Sequence, residues 1–375
     1  MRIVVAIDSF KGSLSSLQAG QAVKEAACKA DKNSQVIISP LADGGEGTVD
    51  ALAAGLGGKK IQIPVTGPLS LPVEGEYCIL PNGTAVIEMA SASGLPLVPA
   101  DLRNPMNTTT YGVGQLIKDA IDRGCRHFIV GIGGSATNDG GVGMLKALGY
   151  QFLDADGKEI PLGAKGLEGL KTISFYNVHP ALKECTFRIA CDVNNPLCGD
   201  SGCSAVYGPQ KGATPTQITQ MDGWLKNFAE LTRKQNPLAN PDHPGAGAAG
   251  GLGFAFLAFT NAKLESGIKI ILEETKLEDV IKDCDLVITG EGRLDRQTVM
   301  GKAPVGVAQL AKKYGKRVIA FSGCVGDGAQ QCNAHGIDAY FPVIRKITTL
   351  EDALNTKNAY QNLTDTAYQV FRLLL

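Results

Sequence analysis

Ile3-Val4-Val5-Ala6-Ile7-Asp8-Ser9-Phe10-Lys11-Gly12-Ser13 is the stretch from which the architecture can be read. Five consecutive apolar residues predict a strand buried on both faces, as in a parallel sheet covered by helices. The run ends at a carboxylate, and Ser13 offers a cap for a helix carrying Leu14, Leu17, Ala22, Val23 and Ala26. A second strand is expected at 36–38, then the loop Asp43-Gly44-Gly45-Glu46-Gly47, a helix over 48–54, and a strand at 61–65 closing the section. The same grammar returns near the other end. A strand at 286–289 leads into Gly290-Glu291-Gly292-Arg293-Leu294-Asp295, with a helix over 303–313, a strand at 318–321 and mostly helical sequence over 349–374. Both ends read as βα units of one open parallel sheet.

The middle reads differently. Apolar runs at 73–79 and 85–89 flank Pro81-Asn82-Gly83, a hairpin signal that implies antiparallel pairing. A helix near 114–122, a strand near 128–130 and a helix near 144–148 follow. Met221, Trp224, Leu225, Phe228 and Leu231 keep helical spacing, which makes the lone tryptophan a core residue rather than a stacking platform. Matching ends around a different middle predict an α/β protein of two domains. Residues 1–65 with 285–375 form the parallel-sheet domain, and 66–284 form an inserted domain of mixed α/β structure.

Composition narrows the function. The 375 residues are 44% hydrophobic and 19% charged, values of an ordered globular protein. Thirty-six Lys and Arg against 37 Asp and Glu leave a net charge of −1, so no basic field attracts nucleic acid or an anionic membrane. No apolar stretch reaches the 18 residues of a membrane span, and the N-terminal apolar run is too short for a secretory signal. The ten cysteines contain no CxxC and the four histidines no HxxxH, which argues against a zinc site and for reduced thiols in a cytoplasmic protein.

Glycine is the departure: 46 residues, about 12% against an average near 7%. Two clusters hold much of the excess, Gly131-Ile132-Gly133-Gly134-Ser135-Ala136-Thr137-Asn138-Asp139-Gly140-Gly141-Val142-Gly143 and Gly245-Ala246-Gly247-Ala248-Ala249-Gly250-Gly251-Leu252-Gly253. Without a Cβ in the way, backbone N–H groups can converge on an oxyanion, and a helix start behind the loop adds a favourable dipole. The first cluster follows a strand and precedes a helix, the context phosphate needs. Residues 131–136 also match the dinucleotide fingerprint GxGxxA, so a nicotinamide-dependent hydroxy-acid oxidoreductase is a rival reading, and tight packing is a third. No GxxxxGK[ST] and no HRD or DFG occurs, which removes P-loop and protein-kinase machinery, and the lack of a GxSxG elbow lowers the hydrolase reading.

Acidic residues stand beside glycine and a cation at several predicted strand ends: Asp8 with Lys11 and Ser13, Asp43 with Glu46, Cys191-Asp192-Val193-Asn194-Asn195, and Glu291 with Arg293, Asp295 and Lys302. Ligands of open α/β sheets bind beyond the carboxyl ends of the strands. Carboxylates that hold Mg²⁺, cations that offset phosphate charge and an Asp that takes a hydroxyl proton are the parts of phosphoryl transfer. Each residue singly is as well explained by a cap, a turn or a solvated charge.

Together, six motifs resemble the bacterial type-1 glycerate kinases: residues 8–13, 42–48, 132–141 and 289–295, with Cys191-Asp192-Val193-Asn194-Asn195-Pro196-Leu197 and Gly208-Pro209-Gln210-Lys211-Gly212-Ala213. The resemblance implies ATP-dependent phosphorylation of D-glycerate, Mg²⁺, and a Rossmann-like domain built from both chain ends that carries the other as an insertion. The expected product is 2-phosphoglycerate, with the 3-hydroxyl as the alternative acceptor. Within that frame the expected site is an interdomain cleft. Gly133, Gly134, Ser135, Thr137, Asn138, Gly247, Gly250 and Gly251 would cradle ATP, with Lys211 and Lys11 offsetting charge. Asp43, Glu46 and Asp295 would hold Mg²⁺. Asp192, then Asp8, would handle the hydroxyl proton, with Arg293, Ser13 and Glu291 on the substrate side. A homo-oligomer is compatible with the sequence. A non-catalytic nucleotide sensor is the remaining rival.

Overall fold

The computed structural model describes residues 1–374. The chain divides into two compact units. Met1–Asp43, Asp50–Gly57 and Ser266–Leu375 make the first, Gly44–Val49 and Gly58–Glu265 the second.

The first unit holds a five-stranded, all-parallel sheet in the order Ala339–Pro342, Arg317–Val325, Leu286–Leu294, Arg2–Ile7, Gln35–Ile38. Its central strands are buried on both faces, as their unbroken apolar runs require. The chain leaves Arg2–Ile7 toward one edge and Leu286–Leu294 toward the other. The sheet therefore has a topological switch point between these two strands, which pair with Ile7 opposite Gly290. The helix after the first strand runs Ser16–Ala30, and its cap is Ser15 rather than Ser13. Ser15 and Gln18 form a reciprocal capping box, which satisfies two orphan N–H groups where Ser13 alone offers one. The C-terminal helical stretch is two helices, Leu350–Leu354 and Thr356–Leu374. They part at Asn355, whose carboxamide oxygen accepts the N–H groups of Lys357 and Asn358 and restarts the helix.

The second unit carries a six-stranded mixed sheet ordered Ala262–Glu265, Thr186–Ala190, His127–Gly131, Thr84–Glu88, Pro72–Ile79, Lys59–Thr66. The first four strands are parallel and the last two antiparallel. The hairpin turns at Gly83, whose φ of 81° lies in the left-handed region. The strand expected to close the first section, Lys59–Thr66, belongs to this sheet instead. Its alternating burial marks a half-exposed edge strand, and the tight turn from Gly67 to Leu71 hairpins it onto Pro72–Ile79. Phenylalanines fill the core, Phe128 stacking on Phe187 at 4.7 Å, and Trp224 packs against it from the helix Pro215–Gln235. Among the described residues no helix is long and apolar enough to cross a membrane.

Candidate active site

In the first unit, acids gather toward the carboxyl-terminal side of the strands beside the switch point, and the strand expected at 286–289 runs on to Leu294, so Glu291 lies within it. Asp8 follows the strand Arg2–Ile7, and its N–H donates to the Gly290 carbonyl at 2.9 Å. Its side chain is buried and accepts the Ser9 N–H at 2.6 Å. Burial pushes its pKa up to about 7, helped by the neighbouring charges of Asp43 and Glu291 and opposed by Lys11. Lys11 Nζ stands 3.8 Å from Asp43 Oδ2. Glu291 is also buried and raised by burial. One of its oxygens accepts the Thr298 hydroxyl at 2.6 Å, and the other lies 3.7 Å from Lys302 Nζ. Ser13 contributes a buried hydroxyl without a hydrogen-bond partner.

Not every acid here is available. Asp295 accepts the Gln297 N–H at 2.8 Å and pairs with Arg293 Nε at 3.1 Å, so it closes a turn. Arg293 is restrained in the same way: a Cβ added at Gly326 would lie 2.9 Å from its Nη2. Glu46 is exposed and belongs to the second unit. Among the described residues no three His, Cys, Asp or Glu side chains converge closely enough to cage a metal ion. Mg²⁺ asks for less, since it is commonly held by one or two carboxylates with water and phosphate oxygens supplying the rest. Of the expected set, Asp43 neighbours the buried Asp8, Asp295 closes a turn and Glu46 belongs to the second unit.

In the second unit the first glycine cluster emerges from the strand His127–Gly131. Gly133 and Gly134 are exposed and Ser135 is half-buried, so the tip of the loop presents backbone to solvent. Behind it everything polar is buried. Lys211 donates to Ser135 Oγ at 2.8 Å and to the Thr137 carbonyl at 2.6 Å. Burial draws its pKa down to about 8, with Cys203 and Asp139 pulling the other way. Asp139 accepts four hydrogen bonds, from the Thr110 N–H and hydroxyl and from the N–H groups of Gly141 and Gly143. Asn138 donates to Ser204 Oγ at 2.8 Å. Lys211 thus supports the loop from beneath, while the Thr137 hydroxyl and the Asn138 carboxamide oxygen are buried without a hydrogen-bond partner. Asp139, Thr110 and Ser204 do not stand out in the sequence. Only the Asn-Asp-Gly-Gly run hints at an acid folding its own loop.

The second glycine cluster does not form an open nest. Gly140 N–H donates to the Gly250 carbonyl at 2.9 Å, and a Cβ at Gly250 would lie 2.1 Å from the Thr137 carbonyl oxygen. A Cβ at Gly251 would meet Gly140 Cα at 2.8 Å, and one at Gly247 the Pro196 carbonyl at 2.2 Å. Gly247, Gly250 and Gly251 are buried and let two backbones touch. The dinucleotide reading also loses its context. The helix behind residues 131–136 begins only at Val142, where the fingerprint wants it at the last glycine. Asp192 follows the strand Thr186–Ala190, whose Ala190 pairs with Gly131, and its side chain is exposed.

Phosphate-compatible backbone and a buried acid cluster beside the switch point are the geometry expected of a small-molecule kinase. Residues 3–375 match the model of the Glycerate kinase family. The chain belongs to the glycerate kinase family. It is 48% identical to a glycerate kinase of Haemophilus influenzae over 100% of this chain and 99% of that one. It is also 48% identical to the glycerate 2-kinase of Escherichia coli K12, covering 97% and 95% of the two chains. A crystal structure ascribed to glycerate kinase 2 of Salmonella typhimurium LT2 superposes with a TM-score of 0.91 at 46% identity, covering 100% of this chain and 98% of the other. For a glycerate kinase, a phosphotransferase, the acid cluster and the open glycine loop are the two parts to which chemistry has to be assigned.

Proposed function

We propose that this glycerate kinase transfers the γ-phosphoryl group of ATP to the 2-hydroxyl of D-glycerate, with Mg²⁺. The observation that carries the reading is the buried pair Asp8 and Glu291 at the switch point of the parallel sheet, with Lys11, Asp43 and Lys302 around it. Asp8 is assigned the hydroxyl proton ahead of Asp192. It is buried at the carboxyl end of a central strand, where a carboxylate poised near neutrality can both accept a proton and release it. Asp192 is exposed and keeps a secondary role in orienting the acceptor. Lys11 and Lys302 offset charge on the transferring group, and the N–H groups of Gly133, Gly134 and Ser135 receive phosphate oxygens, held in place by Lys211. Asp43 would hold Mg²⁺, with water and phosphate oxygens supplying the rest, and the ion when bound would neutralise phosphate charge.

The test is coupled ADP release with ATP, Mg²⁺ and D-glycerate, beside L-glycerate, glycolate and no-acceptor controls, with the product read by phosphorus NMR. Turnover on D-glycerate with a 2-phosphate signal is expected. A 3-phosphate signal would move the acceptor hydroxyl, and ADP formation indifferent to the acceptor would remove the assignment.

A further inference from the structure

Beside the acid cluster, the first unit opens a pocket of about 610 Å³ lined by Arg293, Asp295, Arg296, Gln297, Lys302 and Asp327. Its three cations are not equivalent. Arg293 is paired with Asp295 and pressed against Gly326, and Lys302 is drawn toward Glu291. Arg296 is exposed, and among the described residues its guanidinium meets no hydrogen-bond or ion-pair partner. Its backbone is nonetheless fixed, because its N–H donates to the Asp327 carbonyl at 3.1 Å. A planar fork on an anchored backbone, open to a pocket, is built to take a carboxylate through two parallel hydrogen bonds.

We infer that Arg296 is the specificity-determining residue that binds the carboxylate of the acceptor hydroxy acid, with Asp327 accepting a hydrogen bond from the hydroxyl group that is not phosphorylated. This deepens the glycerate kinase reading and rests on it for the identity of the acid. The rest of the lining favours a hydroxy acid over a polyphosphate. The carboxylates of Asp295 and Asp327 would repel several phosphate charges, whereas glycerate brings one carboxylate and two O–H donors that acceptor oxygens can use. Lys302 lines the pocket and lies 3.7 Å from Glu291, which ties the pocket to the acid cluster. The assignment moves the carboxylate contact from Arg293, which already has a partner, to the arginine three residues on.

The experiment is calorimetric titration of the full-length protein and of Arg296→Gln and Arg296→Lys with D-glycerate and, separately, with tripolyphosphate. Loss of a charge-assisted hydrogen-bonded contact weakens binding by roughly 10- to 100-fold. That loss is expected for D-glycerate with Arg296→Gln, with partial rescue by lysine, an unchanged tripolyphosphate affinity and an unchanged Tm. Equal D-glycerate affinity in wild type and Arg296→Gln, no D-glycerate binding by wild type, or a loss falling on tripolyphosphate would each overturn the inference. Failure of the kinase reading looks different: wild type then binds D-glycerate through Arg296 and releases no acceptor-dependent ADP.

Discussion

The two units place polar groups out of water for opposite ends. In the first, burial falls on groups assigned to the chemistry: Asp8, just past the strand Arg2–Ile7, and Glu291, within the strand Leu286–Leu294, lie where low polarity lifts their pKa values. In the second, burial falls on groups that hold other groups still. Lys211 and Asp139 spend their hydrogen bonds on the loop itself, and what faces solvent is bare backbone at Gly133 and Gly134. A buried ionisable residue in this fold is therefore not by itself a sign of reactivity. What separates the two cases is whether its hydrogen-bonding capacity is already filled by protein.

Asp8→Asn draws that line most sharply. Removing a general base costs about 10² to 10⁴ in turnover, so kcat should fall by that much while KM for ATP stays within a few-fold. Stability should move the other way. Asp8 titrates near 7 in the folded protein against an ordinary aspartate value of 3.8, so between about pH 4 and 7 the folded chain binds more protons than the unfolded one. Its contribution to stability accordingly falls as pH rises through that window. In chelator-treated protein, Asp8→Asn should match wild type near pH 4.5 and exceed it at pH 8 by up to about 4 kcal/mol. Thermal melts at the two pH values check this. A variant equally or less stable at pH 8 would mean that the carboxylate is held for structure, as Asp139 is.

Gly250→Ala should break the second unit with no ligand involved. The residue has φ of 67°, and an added Cβ would sit 2.1 Å from the Thr137 carbonyl oxygen. Backbone has to move, and a loss of about 3 kcal/mol or more is expected. Urea unfolding measures it. A stable, fully folded Gly250→Ala protein would show that the contact between the two glycine clusters is loose, and would reopen the second cluster as a ligand site.

The fold was legible where one physical signal dominated. Unbroken apolar runs marked the buried parallel strands, and the helix Ala303–Lys313 lies where its apolar spacing and Pro304 place it. Lys59–Thr66 escaped because an edge strand and a buried strand of similar length differ only in alternation, and the turn that hairpins it lies outside the run. The acids of the first unit were legible because strand ends of a parallel sheet converge by topology alone. The glycines were not, since the absence of a Cβ serves an oxyanion and a neighbouring backbone equally well. Arg296 was invisible for a related reason. A single arginine in a loop has no pattern, and its distinction from Arg293 is an ion pair seen only in three dimensions.

The smallest expected effect is the one that decides whether Gly133 differs in kind from Gly250. Gly133 is exposed, its φ is not positive, and an added Cβ would stand 3.4 Å from Gly45 Cα, an ordinary contact. Gly133→Ala should leave stability within about 0.5 kcal/mol of wild type, as surface substitutions without strain do. If the loop tip receives phosphate oxygens, a methyl group there keeps them from the backbone N–H groups. KM for ATP should then rise about 10-fold, with KM for D-glycerate unchanged, since losing one such contact is worth about 1 to 2 kcal/mol. Steady-state kinetics with each substrate varied in turn make the measurement. A variant with the wild-type KM for ATP would place Gly133 with Gly250, as a glycine kept for the fold, and leave nucleotide binding to be sought away from this loop.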